Sequence, residues 1–208
     1  MMSNHGDALC RFEIGPDGWC RSALPLHSPN CDLRPDATTV DLLVIHNISL
    51  PPGQFGGPYI ADLFANRLDH SVHPYFEQIR SLRVSAHFLI RRDGTLWQFV
   101  STDQRAWHAG VSAFDGRIAC NDFSIGVELE GTDFEPFREQ QYTTLAMLTQ
   151  ALCERYPLTA VAGHEHIAPG RKTDPGPCFD WRRYRSLLKS RDGAAIEPSL
   201  LSFPNGSE

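Results

Sequence analysis

The chain has 208 residues, 41% of them hydrophobic, which is enough for one substantial core and too short to argue for two. A formal charge of −6 removes the basic face that draws polyanions, so nucleic acid is not expected as a partner. No apolar run approaches the length of a membrane span, so no membrane partner is expected either.

Residues 1–18 read as a mobile N-terminal segment. His5, Asp7, Arg11, Glu13 and Asp17 interrupt the opening stretch, which has no hydrophobic signal region, and a cytoplasmic location follows as an expectation. The six cysteines, Cys10, Cys20, Cys31, Cys120, Cys153 and Cys178, form no C-x-x-C pair and are expected as free thiols in a reducing compartment. A nearly continuous aliphatic run predicts a strand covered on both faces over 40–45, ending in His46. Pro51, Pro52, Gly53, Gly56, Gly57 and Pro58 make 47–59 an irregular loop, followed by a short helix over 60–68. Asp93-Gly94 is a hairpin turn, so 85–91 and 95–100 are expected to pair antiparallel. Another strand is predicted over 123–129. Tyr142, Leu145, Leu148 and Leu152 trace one face of a helix over 138–156, which Pro157 stops. A strand over 159–162 then runs into Gly163-His164, a helix covers 179–189, and 191–208 reads as a mobile tail. Strands alternating with helices, with one hairpin, imply a single α/β domain over 19–190 with a central mixed β-sheet flanked by helices.

His46 and His164 each stand at the carboxyl end of a predicted strand, the edge where open α/β sheets place ligands. Two imidazoles there can share one metal ion. Asp174, followed by Pro175-Gly176-Pro177, offers a carboxylate on a rigid turn, and such a set leaves one of zinc's four positions open for hydrolysis. His166 competes with His164 for the ligand role. His87, inside a strand, reads as a satisfied semi-buried residue, and His5, His27, His70 and His73 as solvent-facing loop residues. The run Gly163-His164-Glu165-His166 is not the H-E-x-x-H motif, and Gly170-Arg171-Lys172-Thr173 does not make a phosphate loop. Glu128 and Glu130 share one strand face, where either is placed as a general base or both are sheet-edge charges. Lys172 is an oxyanion partner or a solvated loop lysine. Trp107-His108 before Ala109-Gly110 reads as a binding loop.

The stretches VIHNISLPPGQFGGPYI, LRVSAHFLIRRDG, RAWHAGVS, CNDFSIGVELEGTD and GHEHIAPGRKTDPGP, with the FDW that follows, resemble the AmpD family of N-acetylmuramoyl-L-alanine amidases, relatives of peptidoglycan recognition proteins and phage amidases. The likeness runs in family order from about Trp19 to Tyr184. It implies that fold, with His46, His164 and Asp174 as zinc ligands, Glu128 as base and Lys172 stabilising the transition state. It further implies Asn47, Arg83, Trp107 and His108 along a substrate groove. The implied substrate is a small muropeptide, above all a 1,6-anhydro-muramoyl peptide from cell-wall recycling, cut between the lactyl group and L-alanine by a monomer. His166 departs from the family pattern, which has a non-ligating polar residue there. Two rivals stand beside this reading: a sensor that binds muropeptides without cutting them, and a zinc peptidase that cuts within the stem peptide.

Overall fold

The computed structural model describes residues 11–189 and 201–204. In chain order the strands are β1 (Leu24–Pro25), β2 (Cys31–Leu33), β3 (Leu42–Ile48), β4 (Phe88–Ile90), β5 (Leu96–Gln98), β6 (Gln104–Ala106), β7 (Ala113–Phe114), β8 (Arg117–Ile118), β9 (Ser124–Glu130) and β10 (Ala160–Gly163). The helices are α1 (Tyr59–Phe64), α2 (Pro74–Gln78), α3 (Glu139–Arg155), α4 (His164–Ile167) and α5 (Trp181–Lys189). Six strands form one sheet in the order β1-β5-β4-β9-β3-β10, while β2 pairs with β6 and β7 with β8. Only β4 and β5 run antiparallel within the large sheet, through the expected turn, where Gly94 takes a φ of 86°. The other neighbours in that sheet are parallel, so the expected mixed α/β sheet is what forms.

Strand alternation divides the core. Leu43 and Ile45 of β3, Ile125, Val127 and Leu129 of β9, and Phe88 and Ile90 of β4 point to one face, where Tyr142, Leu145, Leu148 and Leu152 of α3 and Tyr184 and Leu188 of α5 cover them. α3 begins where Gln141 Oε1 accepts the Arg138 backbone N–H at 3.0 Å, and it ends before Pro157. The opposite face carries Leu42, Val44, Ala160 and Ala162 in one apolar cluster. Leu89 and Phe99 join Ile60 and Phe64 of α1 and Phe76 of α2 in another. Between these two clusters the same face presents polar side chains, and there the chemistry collects.

Several boundaries differ from expectation. β3 runs on through His46, Asn47 and Ile48, because β9 stays in register with it as far as Glu130. β4 and β5 are shorter than 85–91 and 95–100, although pairing continues irregularly through His87, which donates to Gly126 O and accepts from Phe99 N. The ends of the chain, where described, are packed. Phe12 and Ile14 lie against the α3 side of the core, and Arg11 pairs with Glu154. Leu201 is buried, and Ser202 bonds the outer edge of β10 by donating to Thr159 O at 2.9 Å and accepting from Val161 N at 2.9 Å. An open strand edge with an apolar neighbour thus finds a partner in 201–204, so the body extends beyond 19–190 at both ends. The remaining parts of the two segments expected to be mobile, and His5 and Cys10, lie outside the described residues. Among the described residues no helix is long and apolar enough to cross a membrane.

Candidate active site

Sheet register builds the centre. Gly163 of β10 stands opposite Ile45 of β3, so His164, the next residue and the first of α4, comes level with His46. His46 in turn stands opposite Glu128 of β9. Partners in parallel strands point the same way, which puts His164, His46 and Glu128 in one row across three strands. Asp174 arrives from a loop. Its carbonyl accepts the Glu165 N–H at 2.8 Å, and Asn47 Nδ2 donates to Pro175 O at 3.1 Å and to Asp133 Oδ1 at 2.6 Å. Gly163 has no Cβ for a reason: one built there meets Pro175 Cδ at 2.6 Å, so any side chain would push the Asp174 turn away.

The result is a convergence of three ligand atoms. His46 Nδ1 lies 3.0 Å from His164 Nδ1 and 3.0 Å from Asp174 Oδ2, and His164 Nδ1 lies 3.1 Å from the same oxygen. The three residues form a group able to hold a metal ion. Both outer nitrogens are occupied: His46 Nε2 lies 2.9 Å from His108 Nδ1, and His164 Nε2 lies 3.0 Å from Ala109 O. Burial, first, lowers the His46 pKa to about 4. Burial alone would raise the Asp174 carboxyl, but its close contacts with the His164 and His46 rings hold it below the usual carboxylate range. A neutral His46 and an ionised Asp174 are the protonation states a metal requires.

Glu128 is 9% exposed and its Oε2 has no hydrogen-bond partner among the described residues. Burial, then repulsion from Asp174, raises its pKa well above the ordinary value, while the Lys172 ammonium acts in the opposite direction. Lys172 itself is exposed. Glu130, the other carboxylate on this face, is fully engaged, accepting from Gly56 N at 2.8 Å and Arg92 N at 3.0 Å and pairing with Arg91 at 3.3 Å. It is therefore a structural anchor. His166 is also excluded from the cluster, since its Nδ1 accepts the Gly163 N–H at 3.0 Å, which caps the start of α4. His87 is fully buried and satisfied by Gly126 N and Gln104 O, at 3.0 Å each.

The expected groove residues are less uniform. Asn47 spends its amide N–H groups on Asp133 and on Pro175 of the Asp174 turn. Trp107 is half-buried and its side chain adds to the hydrogen bonds, chiefly from Arg105, that hold Asp32 below its ordinary range. Arg83 is exposed and donates to Arg80 O at 3.0 Å and Leu82 O at 2.9 Å, with none of its described hydrogen bonds reaching the cluster. His108 is 9% exposed, with its Nδ1 2.9 Å from His46 Nε2. Three residues missed by sequence reading brace the site. Asn121 Oδ1 accepts the backbone N–H groups of His108 and Ala109, at 3.1 and 2.8 Å. Arg171 donates to Ala109 O at 2.7 Å and Val111 O at 2.6 Å, and Ser124 Oγ lies 3.2 Å from His108 Nε2. Ser124 alone carried a readable signal, since it shares the face of Gly126, Glu128 and Glu130 at every second position.

The buried histidines set a pH dependence for the metal-free protein. Burial lowers His46 to about 4, His87 to about 3, and His108 well below its ordinary value, so below about pH 6.5 the unfolded chain takes up protons that the fold refuses. Stability is full above that pH and is lost as pH falls toward the folded pKa values. Glu128, raised in the fold, offsets one proton in the acid part of this window. Urea unfolding in chelator should show stability falling from about pH 7 to about pH 5 by more than about 1.4 kcal/mol per pH unit, the worth of one proton. A flat profile would mean that these rings are hydrated or charged in the fold.

A family model described as N-acetylmuramoyl-L-alanine amidase matches residues 36–177. The chain is 58% identical over 174 residues to the 1,6-anhydro-N-acetylmuramyl-L-alanine amidase AmpD of Citrobacter freundii, covering 83% of this chain and 93% of that protein. A crystal structure of a selenomethionine AmpD derivative superposes with a TM-score of 0.81 at 57% identity, covering 83% of this chain and 97% of that one. The amidase AmiD from E. coli, solved with the substrate anhydro-N-acetylmuramic acid-L-Ala-D-γ-Glu-L-Lys, superposes with a TM-score of 0.54 at 29% identity, covering 74% of this chain and 60% of that one.

Proposed function

The chain belongs to the N-acetylmuramoyl-L-alanine amidase family, and from that premise we propose that it uses zinc to hydrolyse the amide between the lactyl group of 1,6-anhydro-N-acetylmuramic acid and L-alanine in cytoplasmic muropeptide recycling. The observation that carries this reading is the meeting of His46 Nδ1, His164 Nδ1 and Asp174 Oδ2 beside the unpartnered Oε2 of Glu128. Around a tetrahedral zinc bonded at about 2.0–2.1 Å, ligand atoms stand about 3.3 Å apart. The spacings here are slightly tighter, so a small outward shift of the side chains accommodates the ion. Two imidazoles and one carboxylate form a hydrolytic donor set with one position left for chemistry. The five described cysteines are free thiols, in keeping with a reducing compartment. We take the acting form to be a monomer.

When bound, zinc supplies a Lewis acid that polarises the scissile carbonyl and acidifies water. The protein's own groups do the rest. Glu128, with Oε2 bare, takes a proton from the attacking water and returns one to the leaving L-alanine nitrogen. Lys172, exposed and near enough for its charge to act on Glu128, meets the negative charge that grows on the former carbonyl oxygen. His46, His164 and Asp174 stay fixed, because each is tied to the scaffold by a bond outside the metal point. A base, a cation and a full ligand set together support cutting over mere binding.

Elemental analysis should find about one zinc per chain, with activity lost to chelators and restored by zinc; a metal-free active protein would sink the proposal. Lys172→Met carries a separate expectation. Removing the cation removes the influence that lowers the Glu128 pKa, so the acid limb of kcat/KM should move to higher pH. The rate should fall by roughly 10²–10³-fold, as when one oxyanion donor is removed. An unchanged rate and profile would make Lys172 a solvated loop residue.

A further inference from the structure

Taking His46 as a metal ligand, as proposed above, we infer that His108 and Ser124 form a positioning relay, anchored on the Cys120 carbonyl, that dictates which nitrogen of His46 is bare and so how tightly the centre holds its metal. The polarity of the relay is set at its far end. A carbonyl oxygen only accepts, so the 2.5 Å contact between Ser124 Oγ and Cys120 O commits the serine proton to that bond. Ser124 then has only lone pairs to offer His108 Nε2 at 3.2 Å, which places the His108 ring proton on Nε2. His108 Nδ1 is thereby bare and accepts from His46 Nε2 at 2.9 Å. With its proton on Nε2, His46 presents an unprotonated Nδ1 to the point shared with His164 and Asp174. A backbone carbonyl three links away thus selects the tautomer a metal needs.

The packing is built around this arrangement. A Cβ at Gly126 would meet His108 Cγ at 2.5 Å and Nδ1 at 2.6 Å, so the ring lies directly over the strand where only glycine admits it. Asn121 holds the His108 backbone from the other side. The His46 and His108 ring planes are inclined at 84° with centroids 5.0 Å apart, which leaves room for the direct nitrogen-to-nitrogen contact. A binding-groove role for His108 would need an open ring nitrogen, and both of its nitrogens are spent within the protein.

Two readouts test the relay, ring ¹⁵N NMR on the zinc-free protein and the zinc dissociation constant by chelator competition, on wild type, His108→Phe, His108→Asn and Ser124→Ala. The wild type should show His46 and His108 protonated at Nε2. His108→Phe should weaken zinc binding by roughly 10–100-fold, the usual loss for a partner of a metal-bound histidine. His108→Asn puts an acceptor oxygen close to the position of Nδ1 and should recover most of that loss. Ser124→Ala alters only the far end, so it should give mixed tautomers and a smaller loss even if the His108 variants fold poorly. Equal losses in Phe and Asn, or unchanged zinc affinity with a raised KM in both, would overturn the relay, as would an Nδ1-protonated His46 in wild type. Wild type that binds no zinc would defeat the metal reading, and the tautomer spectrum would still decide the relay.

Discussion

Glu128→Gln is expected to keep its zinc and its substrate affinity while kcat falls by roughly 10²–10⁴-fold, the range for losing a general base. The substitution preserves shape and hydrogen-bonding volume and removes only the basic oxygen. Glu128 stands level with His46 on the next strand, is 9% exposed, and has an Oε2 that no protein group uses. A buried carboxylate without a partner is costly to keep unless it works on something that arrives. Because the loss lies in the transition state, KM should change little. Zinc content, KM and kcat measured on the same preparation decide the matter. A variant that holds zinc and turns over near the wild-type rate would remove Glu128 from the chemistry. Glu130 would not replace it, since both of its oxygens are already bound.

His46→Ala should fail differently. It removes one of three ligand atoms and also the donor to His108 Nδ1, so zinc should dissociate readily and activity should follow zinc occupancy. The affinity loss should exceed the roughly 10–100-fold expected of an outer partner, because a ligand itself is gone. Excess zinc should recover activity only in proportion to the metal bound. A variant that keeps stoichiometric zinc would show that the ion sits elsewhere. Metal lost in one variant and retained in the other is the signature that separates binding from proton transfer.

Much of this site was legible because its parts ride on long elements. The aliphatic run before His46 and the alternation before Glu128 mark two central strands, and the parallel register does the rest. Asp174 was reachable only through its Pro175-Gly176-Pro177 turn and the family likeness. Strands of two or three residues such as β1, β2 and β6 carry no readable period, and α2 is a single turn started by His73 and Pro74. Asn47 reads as the start of a loop because prolines and glycines crowd the residues after it; here it sits within β3 opposite Leu129 and uses its amide to hold a distant turn. The family likeness implies a groove position for His108, and the Trp-His pair before Ala109-Gly110 reads as a binding loop. The burial of His108 comes from Gly126, eighteen positions on, and no local pattern reveals that contact. The packing of the ends is not legible because Phe12, Ile14, Leu201 and Phe203 lie in runs too short to carry a period, and only the tertiary fold brings them to the core.

The most direct test is mass spectrometry of the products from a defined 1,6-anhydro-N-acetylmuramoyl peptide, with zinc and with chelator. The expected products are the anhydro sugar carrying a free lactyl carboxylate and an intact peptide with an L-alanine amino terminus, formed only when zinc is present. Cleavage within the stem peptide, or an unaltered substrate in the zinc-loaded sample, would contradict the assignment.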